Sequence, residues 1–501
     1  TQMVSSSSSD ILLVALNARW SHASFALRCL KANLGALIDR CALLERTIDD
    51  RPADVVEAIL QKNPRIVGLS TYIWNAEEML GIARLLRALR PDIVVVVGGP
   101  EVSHEIDEQE LCRLAHHVIK GEGEVAFRTL CEHILRERPS LGLVPEHVIE
   151  GGSPDLGALA SAYAFYDDVD VKDRVVYVEA SRGCPFTCEF CLSSLDEKVR
   201  NFPLEPFLDE MQKLMDRGLT TFKFIDRTFN LKIETTERII QFFLERMRPG
   251  LFVHFEMVPD RLPPSLRALL QKFPPGACQL EVGIQTFDAA TGVRIRRRQD
   301  AEKLEDNIRF LRSETGVHIH ADLIVGLPGE DLASFGRGFD RLYALGPHEI
   351  QVGILKRLRG APIDRHTVDE GMVYSPAPPY EILQSKALSF GEVQRMKRFA
   401  RFYDLVVNHG RFPATTKLLL KDAPFARFLA FSDWLYGETG ARHGIALPRL
   451  AELIGGYLID VDGVAHDVAH GAILADLGKE KLPTALVKGI PRRQQRHHAA
   501  S

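Results

Sequence analysis

The chain has 501 residues, 46% hydrophobic and 26% charged, with a formal net charge of −5 and a pI near 6.4. That length exceeds one ordinary core and predicts two to four domains, and the composition is that of a globular protein rather than a disordered one. The acidic balance argues against a chain whose main task is to grip phosphate backbones, so nucleic acid is not expected as a partner. No window approaches ~18 uninterrupted apolar residues. The opening "TQMVSSSSSD" also lacks the charged and apolar regions of a secretory signal, so a cytoplasmic location with no membrane partner is expected. Eight cysteines are too few for a disulfide scaffold at this length, and in a reducing compartment a tight group of them points to metal or catalysis.

From residue 11 to 135, short apolar runs ("ILLVAL", "IVGLSTY", "IVVVVGG") alternate with helical patterns ("FALRCLKANLGALI", "VVEAIL", "AEEMLGIARLLRAL"). Continuous Val, Ile and Leu runs bounded by Gly, Pro or Ser are the pattern of parallel strands buried on both faces. Residues 1–135 are therefore read as a doubly wound, Rossmann-like α/β domain. Its ligand loops would be "LSTYIWN" and "VGGPEVSHE", beyond the carboxyl ends of the strands. Residues 136–172, with "GGSPD" and "YAFYDDVD", are read as a linker.

Regularity returns over 173–370. Strand candidates "RVVYVEAS", "TFKFID", "LFVHFEMV", "CQLEVGIQ", "HIHADLIVGLP" and "EIQVGILK" are separated by helical patterns, which gives six βα units. Eight would close a barrel, so a partial (β/α)6 barrel is predicted. Residues 371–501 read as a mostly helical C-terminal domain, whose last stretch "PRRQQRHHAAS" has too little apolar content to order and is expected to fray.

The stretch "EASRGCPFTCEFCLSS" places Cys184, Cys188 and Cys191 within eight positions, directly after the first barrel strand. Single cysteines within apolar patterns, such as Cys29, Cys41, Cys112, Cys131 and Cys278, fit small core residues. Three so close, flanked by Gly183 and Pro185, do not. Structural zinc would want a fourth ligand and usually a second pair, and a redox pair of Cys188 and Cys191 leaves Cys184 without a role. Three thiolates at this spacing can hold three irons of a [4Fe–4S] cluster and leave the fourth open.

This CxxxCxxC loop on a partial barrel resembles the radical S-adenosylmethionine (SAM) superfamily. The resemblance implies that SAM chelates the open iron and that an electron from the cluster cleaves a C–S bond to give a 5′-deoxyadenosyl radical. It also implies a flavodoxin- or ferredoxin-like electron donor. Residue by residue, Phe190 matches the aromatic beside the adenine. Asp226 in "FKFIDRTFN" matches a polar contact at the methionine end, and Glu281 and Gln285 in "LEVGIQT" match cosubstrate contacts. Gly326 and Gly329 in "ADLIVGLPGE" match positions where backbone approaches the adenine, while Glu330 is either a contact or a cap on the next helix.

A doubly wound domain ahead of such a barrel resembles the cobalamin-binding subfamily. The resemblance places Ser70, Thr71, Tyr72, Gly98, Gly99, Pro100, Glu101, Gly121, Glu122 and Gly123 around the corrin. The DxHxxG motif of many cobalamin domains is absent: after the first strand the chain reads "LNARWSHASFA", where Asn17 and His22 lack that spacing. Cobalt without a lower histidine ligand is expected, with Ser70, Thr71 or Tyr72 below it. Residues 10 to about 365 carry the likeness, which within the subfamily is to a methyltransferase branch that includes tryptophan C-methyltransferases of thiopeptide biosynthesis.

The expectation is therefore a cobalamin-dependent methyltransferase acting on a carbon of a small or peptide-derived substrate, with indole or tryptophan as candidates. Arg227, His254, His318 and His320 are candidate substrate contacts near the barrel mouth, and Trp434, Tyr403 and Arg401 are C-terminal candidates for the pocket. Three alternatives stand beside it. One is a cobalamin-assisted rearrangement, ring contraction or cyclisation without methyl transfer. Another is a methylthiotransferase, with a second cluster on Cys29, Cys41, Cys112 and Cys131. The third is a non-catalytic corrinoid carrier.

Overall fold

The structure, a computed structural model, describes residues 9–136, 146–196 and 198–478. The expected frayed tail and most of the serine-rich opening lie outside the described residues. Six parallel strands form the N-terminal sheet: β1 (Ile11–Asn17), β2 (Cys41–Thr47), β3 (Ile66–Ser70), β4 (Val94–Gly98), β5 (His117–Lys120) and β6 (Val148–Glu150), in the order β2-β1-β3-β4-β5-β6. Helices α1 (Phe25–Ala32) and α5 (Glu124–Leu135) cover one face through Leu27, Phe127 and Leu130. Helices α2 (Pro52–Gln61), α3 (Ala76–Leu89) and α4 (Glu110–Leu114) cover the other through Val55, Ile59, Ile82 and Leu111. The strand order reverses at β1, so a crevice opens between the loops that leave β1 and β3.

Three of these strands are not predicted by the apolar runs. β2 is an edge strand whose "CALLERT" carries charges, and β5 and β6 are only four and three residues long. β6 also corrects the expected linker at 136–172: Val148 and Ile149 pair with Val118 and Ile119, so the N-terminal sheet extends past residue 135.

A short helix, α6 (Asp168–Asp173), leads into the second sheet and anchors it to the first domain. Arg28 of α1 contacts Glu45 of β2 at 2.8 Å and Asp170 at 2.5 Å, and Arg174 contacts Asp170 at 2.8 Å and Glu45 at 3.1 Å. All four side chains are at most 12% exposed. Charges this buried are tolerable only because each meets two of opposite sign.

The second sheet is also parallel and has six strands. β7 (Val176–Val178) is followed by an antiparallel pair of two-residue strands, β8 (Ser181–Arg182) and β9 (Arg200–Asn201). Then come β10 (Thr221–Phe224), β11 (Phe252–Met257), β12 (Cys278–Gln285), β13 (His318–Val325) and β14 (Glu349–Ile354), in the order β14-β13-β12-β11-β10-β7. Between them run α7 (Leu204–Asp216), α8 (Ile233–Glu245), α9 (Pro264–Leu270), α10 (Ala289–Arg294), α11 (Ala301–Glu314) and α12 (Leu332–Leu345). This is the expected partial barrel. Its strands alternate, with Phe222, Phe255, Val282 and Ile319 buried in the apolar core and Glu256, Glu281, His320 and Glu349 only partly buried.

Those four polar residues stand side by side in register, Glu256↔Glu281↔His320↔Glu349, across β11 to β14. His254 Nε2 lies 3.1 Å from Glu281, and the His320 ring nitrogens lie 3.2 Å from Asp322 and 3.1 Å from Glu349. Burial alone would lower the His320 pKa, but hydrogen bonds to Asp322 and Glu349 outweigh it and hold the imidazole up at about 10, while Glu349, bonded by His318 and His320, is drawn down to about 2. The inside of this barrel is thus a charged lattice rather than stacked aliphatic layers.

After the barrel, a small hairpin, β15 (Val373–Tyr374) with β16 (Ile382–Gln384), precedes five helices: α13 (Phe390–Tyr403), α14 (Pro413–Leu420), α15 (Pro424–Thr439), α16 (Leu447–Gly456) and α17 (His466–Leu477). They continue the barrel's core. Phe339 of α12 meets Phe399 of α13 edge-on at 5.2 Å, and a Cβ on Gly336 would lie 2.5 Å from the Phe425 ring of α15.

Two outcomes follow. Asp170→Ala strands Arg28 and Arg174 and should cost about 3–5 kcal/mol in urea unfolding of the full chain; a loss under about 0.5 kcal/mol would remove this network as the inter-domain anchor. For His320, a folded pKa raised from 6.5 to about 10 means stability that is fully present below pH 6.5 and lost as pH rises toward 10. Wild type should lose on the order of 3 kcal/mol more than His320→Gln between pH 6.5 and 10, and parallel urea midpoints in the two proteins would contradict the lattice.

Candidate active site and cofactor cavities

The cysteine loop is bracketed by the β8–β9 pair. Gly183, at φ +92°, is where the chain turns into it, and a Cβ there would lie 2.2 Å from the Lys198 carbonyl oxygen, so only glycine fits. Inside the loop the Cys184 amide donates to Asp196 O at 2.9 Å, the Cys191 amide to Cys188 O at 3.1 Å, and the Ser194 hydroxyl to Cys191 O at 2.6 Å. The loop is pinned from beneath by Glu189, whose side chain is 1% exposed and which meets Arg365 at 2.7 Å, His366 at 2.6 Å and Arg296 at 3.1 Å.

Cys184, Cys188 and Cys191 line one cavity of about 230 Å³, together with Phe186, Phe190, Arg227, Glu256, Glu281, Gln285, Arg297 and Asp322. Cys188 is buried, the other two are half-buried, and burial pushes the Cys184 thiol up. Among the described residues no three His, Cys, Asp or Glu side chains converge on a point for one ion. The three thiols share one cavity, and a multi-iron cluster would take one sulfur per iron.

Three carboxylates of the same cavity each meet a nitrogen side chain. Glu256 lies 3.3 Å from Arg227, Glu281 faces His254, and Asp322 faces His320. The hydrogen bond from His254 holds Glu281 below the usual carboxylate range, whereas burial raises Glu256 and Asp322. Arg297 completes the site. Its Nη1 stands 3.4 Å from Cys188 Sγ, and its Nε donates to Ile284 O at 3.2 Å.

Of the residues expected around the cosubstrate, Phe190, Glu281 and Gln285 reach this cavity, and three others do not. Asp226 is 2% exposed and accepts from the Ala180 amide and the Ser181 hydroxyl, so it ties down the start of the cysteine loop, and burial raises its carboxyl to about 7. Gly326 packs on Ile382, and Gly329 is covered by the Arg294 guanidinium. Glu330 does not cap α12, because Asp331 does; Glu330 accepts from the Thr286 hydroxyl at 2.8 Å. His318 bonds Glu349 below His320. Tyr403 and Trp434 pack among the aromatic rings of the C-terminal helices, and Arg401 is half exposed beside Asp404, so none of these three lines either cavity described here.

A second cavity, of about 910 Å³, occupies the crevice at the strand-order reversal. Its N-terminal wall is Asn17 and His22 after β1, Ser70, Tyr72 and Trp74 after β3, Gly98 to Pro100 after β4, and Gly121 to Gly123 after β5. Tyr72 and Trp74 stack at 4.3 Å. Gly99, at φ +114°, packs on the Thr71 backbone, and the Ser103 hydroxyl bridges Gly99 O and the Gly121 amide. Thr71 and Glu101 are exceptions among the expected residues. Thr71 is fully buried, and the Glu101 carboxylate is 3.0 Å from Arg359 Nε and accepts from the Tyr380 hydroxyl at 2.7 Å. Glu122 reaches the cavity but is paired with Arg182 and Arg200. His22 faces the cavity with its Nδ1 on the Tyr177 hydroxyl.

The barrel supplies the rest of that wall: Tyr177, Glu179, Arg182, Leu192, Leu195, Asp196 and Ile225. Residues 184–194 of the cysteine loop therefore contribute to the smaller cavity, and Leu192, Leu195 and Asp196 of the same loop to the larger one. Glu256, Asp322, Arg297 and Gln299 were not singled out from sequence. The alternation in "FVHFEM" and "HIHADLIV" and the arginine run "RIRRRQD" were the available signals.

Comparisons agree with this layout. Residues 11–131 match the family model of the B12 binding domain, 178–341 that of the Radical SAM superfamily, and 369–468 that of a protein family of unknown function, DUF4080. The cobalamin-dependent radical SAM methyltransferase TokK of Streptomyces tokunonensis is 26% identical over 334 residues, 60% of this chain and 48% of TokK. The 2-(S-pantetheinyl)-carbapenam-3-carboxylate methyltransferase of Streptantibioticus cattleyicolor is 26% identical over 339 residues, again 60% of this chain and 48% of the relative. The chain thus spans about half the length of these relatives. Among solved structures, the radical S-adenosylmethionine methyltransferase TsrM from Kitasatospora setae, with cobalamin and a [4Fe-4S] cluster bound, superposes with a TM-score of 0.58 at 18% identity, covering 93% of this chain and 100% of TsrM. The cobalamin-dependent S-adenosylmethionine radical enzyme OxsB superposes with a TM-score of 0.63 at 12% identity, covering 99% and 84%. In this chain a stretch that matches the B12 binding domain thus precedes one that matches the Radical SAM superfamily.

Proposed function

We propose that this chain is a cobalamin-dependent radical SAM methyltransferase that places a methyl group on a carbon of a small or peptide-derived substrate, with tryptophan and indoles as the first candidates. The observation that supports it most is the shared loop: the cysteines open on one cavity, and residues 192, 195 and 196 wall the other. Two cofactors could then serve one substrate from opposite sides of a single loop.

The residues present fit both groups. Cys184, Cys188 and Cys191 would hold the cluster, and the Glu189 clamp fixes their loop before any iron arrives. Phe190, Glu281 and Gln285 would contact SAM. Glu281, drawn below the usual carboxylate range by the hydrogen bond from His254, offers a carboxylate to a cationic cosubstrate, and Arg227 offers a guanidinium group to its carboxylate. Ser70, Tyr72, Gly98, Gly99, Pro100, Gly121, Glu122 and Gly123 would border the corrin. When bound, the cluster supplies an electron to SAM and the corrinoid carries the methyl group.

Cys29, Cys41, Cys112 and Cys131 are all buried, and Cys112 sits in the core on one face of the N-terminal sheet while Cys41 and Cys131 sit in the core on the other, which weighs against the methylthiotransferase alternative.

Two measurements test the proposal. Cys188→Ala, reconstituted anaerobically, should lose the bulk of its about four irons per chain and still retain corrinoid. Loss of both, or of neither, would contradict two separate cavities. Methyl-labelled SAM incubated with tryptophan and substituted indoles should give a product heavier by one labelled methyl, bound to carbon. SAM cleavage with an isomerised or cyclised product of unchanged methyl count would move the assignment to a rearrangement enzyme.

A further inference from the structure

The guanidinium of Arg297 reaches a cysteine sulfur of the loop, and its position is set by something other than that sulfur. Between Gly283 and Gln285 the β12–β13 register slips, and Gln285 sits at φ +71°. This bulge turns backbone carbonyls of β12 out of the ladder, where they need donors. Arg297 supplies them: Nε donates to Ile284 O at 3.2 Å and Nη2 donates to Gly283 O, while Gln299 Nε2 donates to Ile284 O at 3.2 Å and Thr286 O at 2.9 Å. Two edges of the planar fork are thereby fixed, and Nη1 is left pointing at Cys188 Sγ, 3.4 Å away. The backbone joins the same two segments, since the Glu189 amide donates to Ile295 O at 3.1 Å. The bulge therefore orients the donor before any cluster is bound.

We propose that Arg297 is a positioning residue that sets the reduction potential of the cluster by donating an N–H to the Cys188 sulfur; this rests on the cluster reading above. Reduction adds one electron from an external flavodoxin- or ferredoxin-like donor to the cluster, with no bond formed or broken and no proton moved. A hydrogen bond from a fixed cation to a ligating sulfur favours the more negative, reduced state and raises the potential. The effect has a local purpose. Asp260 lines the same cavity, and Glu256, Glu281 and Asp322 there are already paired with Arg227, His254 and His320, which leaves Arg297 to face the sulfur. Arginine is the side chain suited to the task, because its fork can satisfy two carbonyls and still present a donor in a defined direction, whereas a lysine presents a single point charge.

The test is an electron paramagnetic resonance redox titration of the anaerobically reconstituted full chain without SAM, for wild type, Arg297→Met and Arg297→Lys, each with its iron and sulfide content measured. The expected result is a roughly tenfold loss in the reduction equilibrium in Arg297→Met, a fall of about 59 mV for one electron, with a smaller fall in Arg297→Lys. A cluster of normal iron content with the wild-type midpoint in Arg297→Met overturns the proposal. So does a wild-type midpoint in Arg297→Lys, which would assign any effect to charge alone and decides the matter if Arg297→Met takes up no iron. A wild-type chain that takes up no iron is a different result and overturns the cluster reading itself.

Discussion

A carboxylate almost wholly removed from water holds the site together. Glu189 stands between Cys188 and Phe190 with its side chain 1% exposed, and an ion in that position is stable only while cations surround it. Arg365 and His366 reach it from the segment after β14, and Arg296 from the segment after α10. The cysteine loop is thus fastened to the far end of the barrel sheet and to the stretch that carries Arg297. Without this fastening, nothing in the local sequence "CPFTCEFC" would define where three thiols stand relative to the strands.

The same economy joins the domains. The Arg28, Glu45, Asp170 and Arg174 group locks α6 to the N-terminal sheet, and Arg359 and Arg357 lock the segment after β14 to Glu101 and Glu105. Between these two fastenings the crevice of the first domain faces the barrel, and the larger cavity takes its walls from both. Charged pairs here provide orientation more than net stability, since hydrophobic replacements of such groups are often as stable. The large apolar cores on either side supply the rest, and the C-terminal helices extend the barrel's core.

Much of this was legible in the sequence, for physical reasons that differ by element. Long apolar runs such as "ILLVAL" and "IVVVVG" announce buried parallel strands, and all six barrel strands were foreseen, because a strand with an apolar outer face alternates visibly. The edge strand β2 and the short strands β5 and β6 were missed: an edge position tolerates charge, and three or four residues carry no period. The cysteine spacing pointed to a cluster, but spacing says nothing of direction. Asp226 follows a barrel strand as a cosubstrate contact would, yet its carboxylate is spent on the Ala180 amide and the Ser181 hydroxyl. Gly326 and Gly329 have the positive φ expected of close approach, but what approaches them is Ile382 and Arg294. Glu101 looked like part of a glycine-rich ligand loop and instead meets Arg359, a partner 258 positions away. Side-chain partners at that distance leave no local trace.

If one loop separates cluster and corrinoid, their unpaired spins must couple magnetically. A full chain loaded with corrinoid and cluster and reduced so that cobalt(II) and the reduced cluster coexist should show a cobalt electron paramagnetic resonance signal that relaxes faster than in the Cys188→Ala chain loaded with corrinoid alone. A cobalt signal identical in the two proteins would mean that the two cofactors do not share that loop, because on either side of it they could not escape one another's fields.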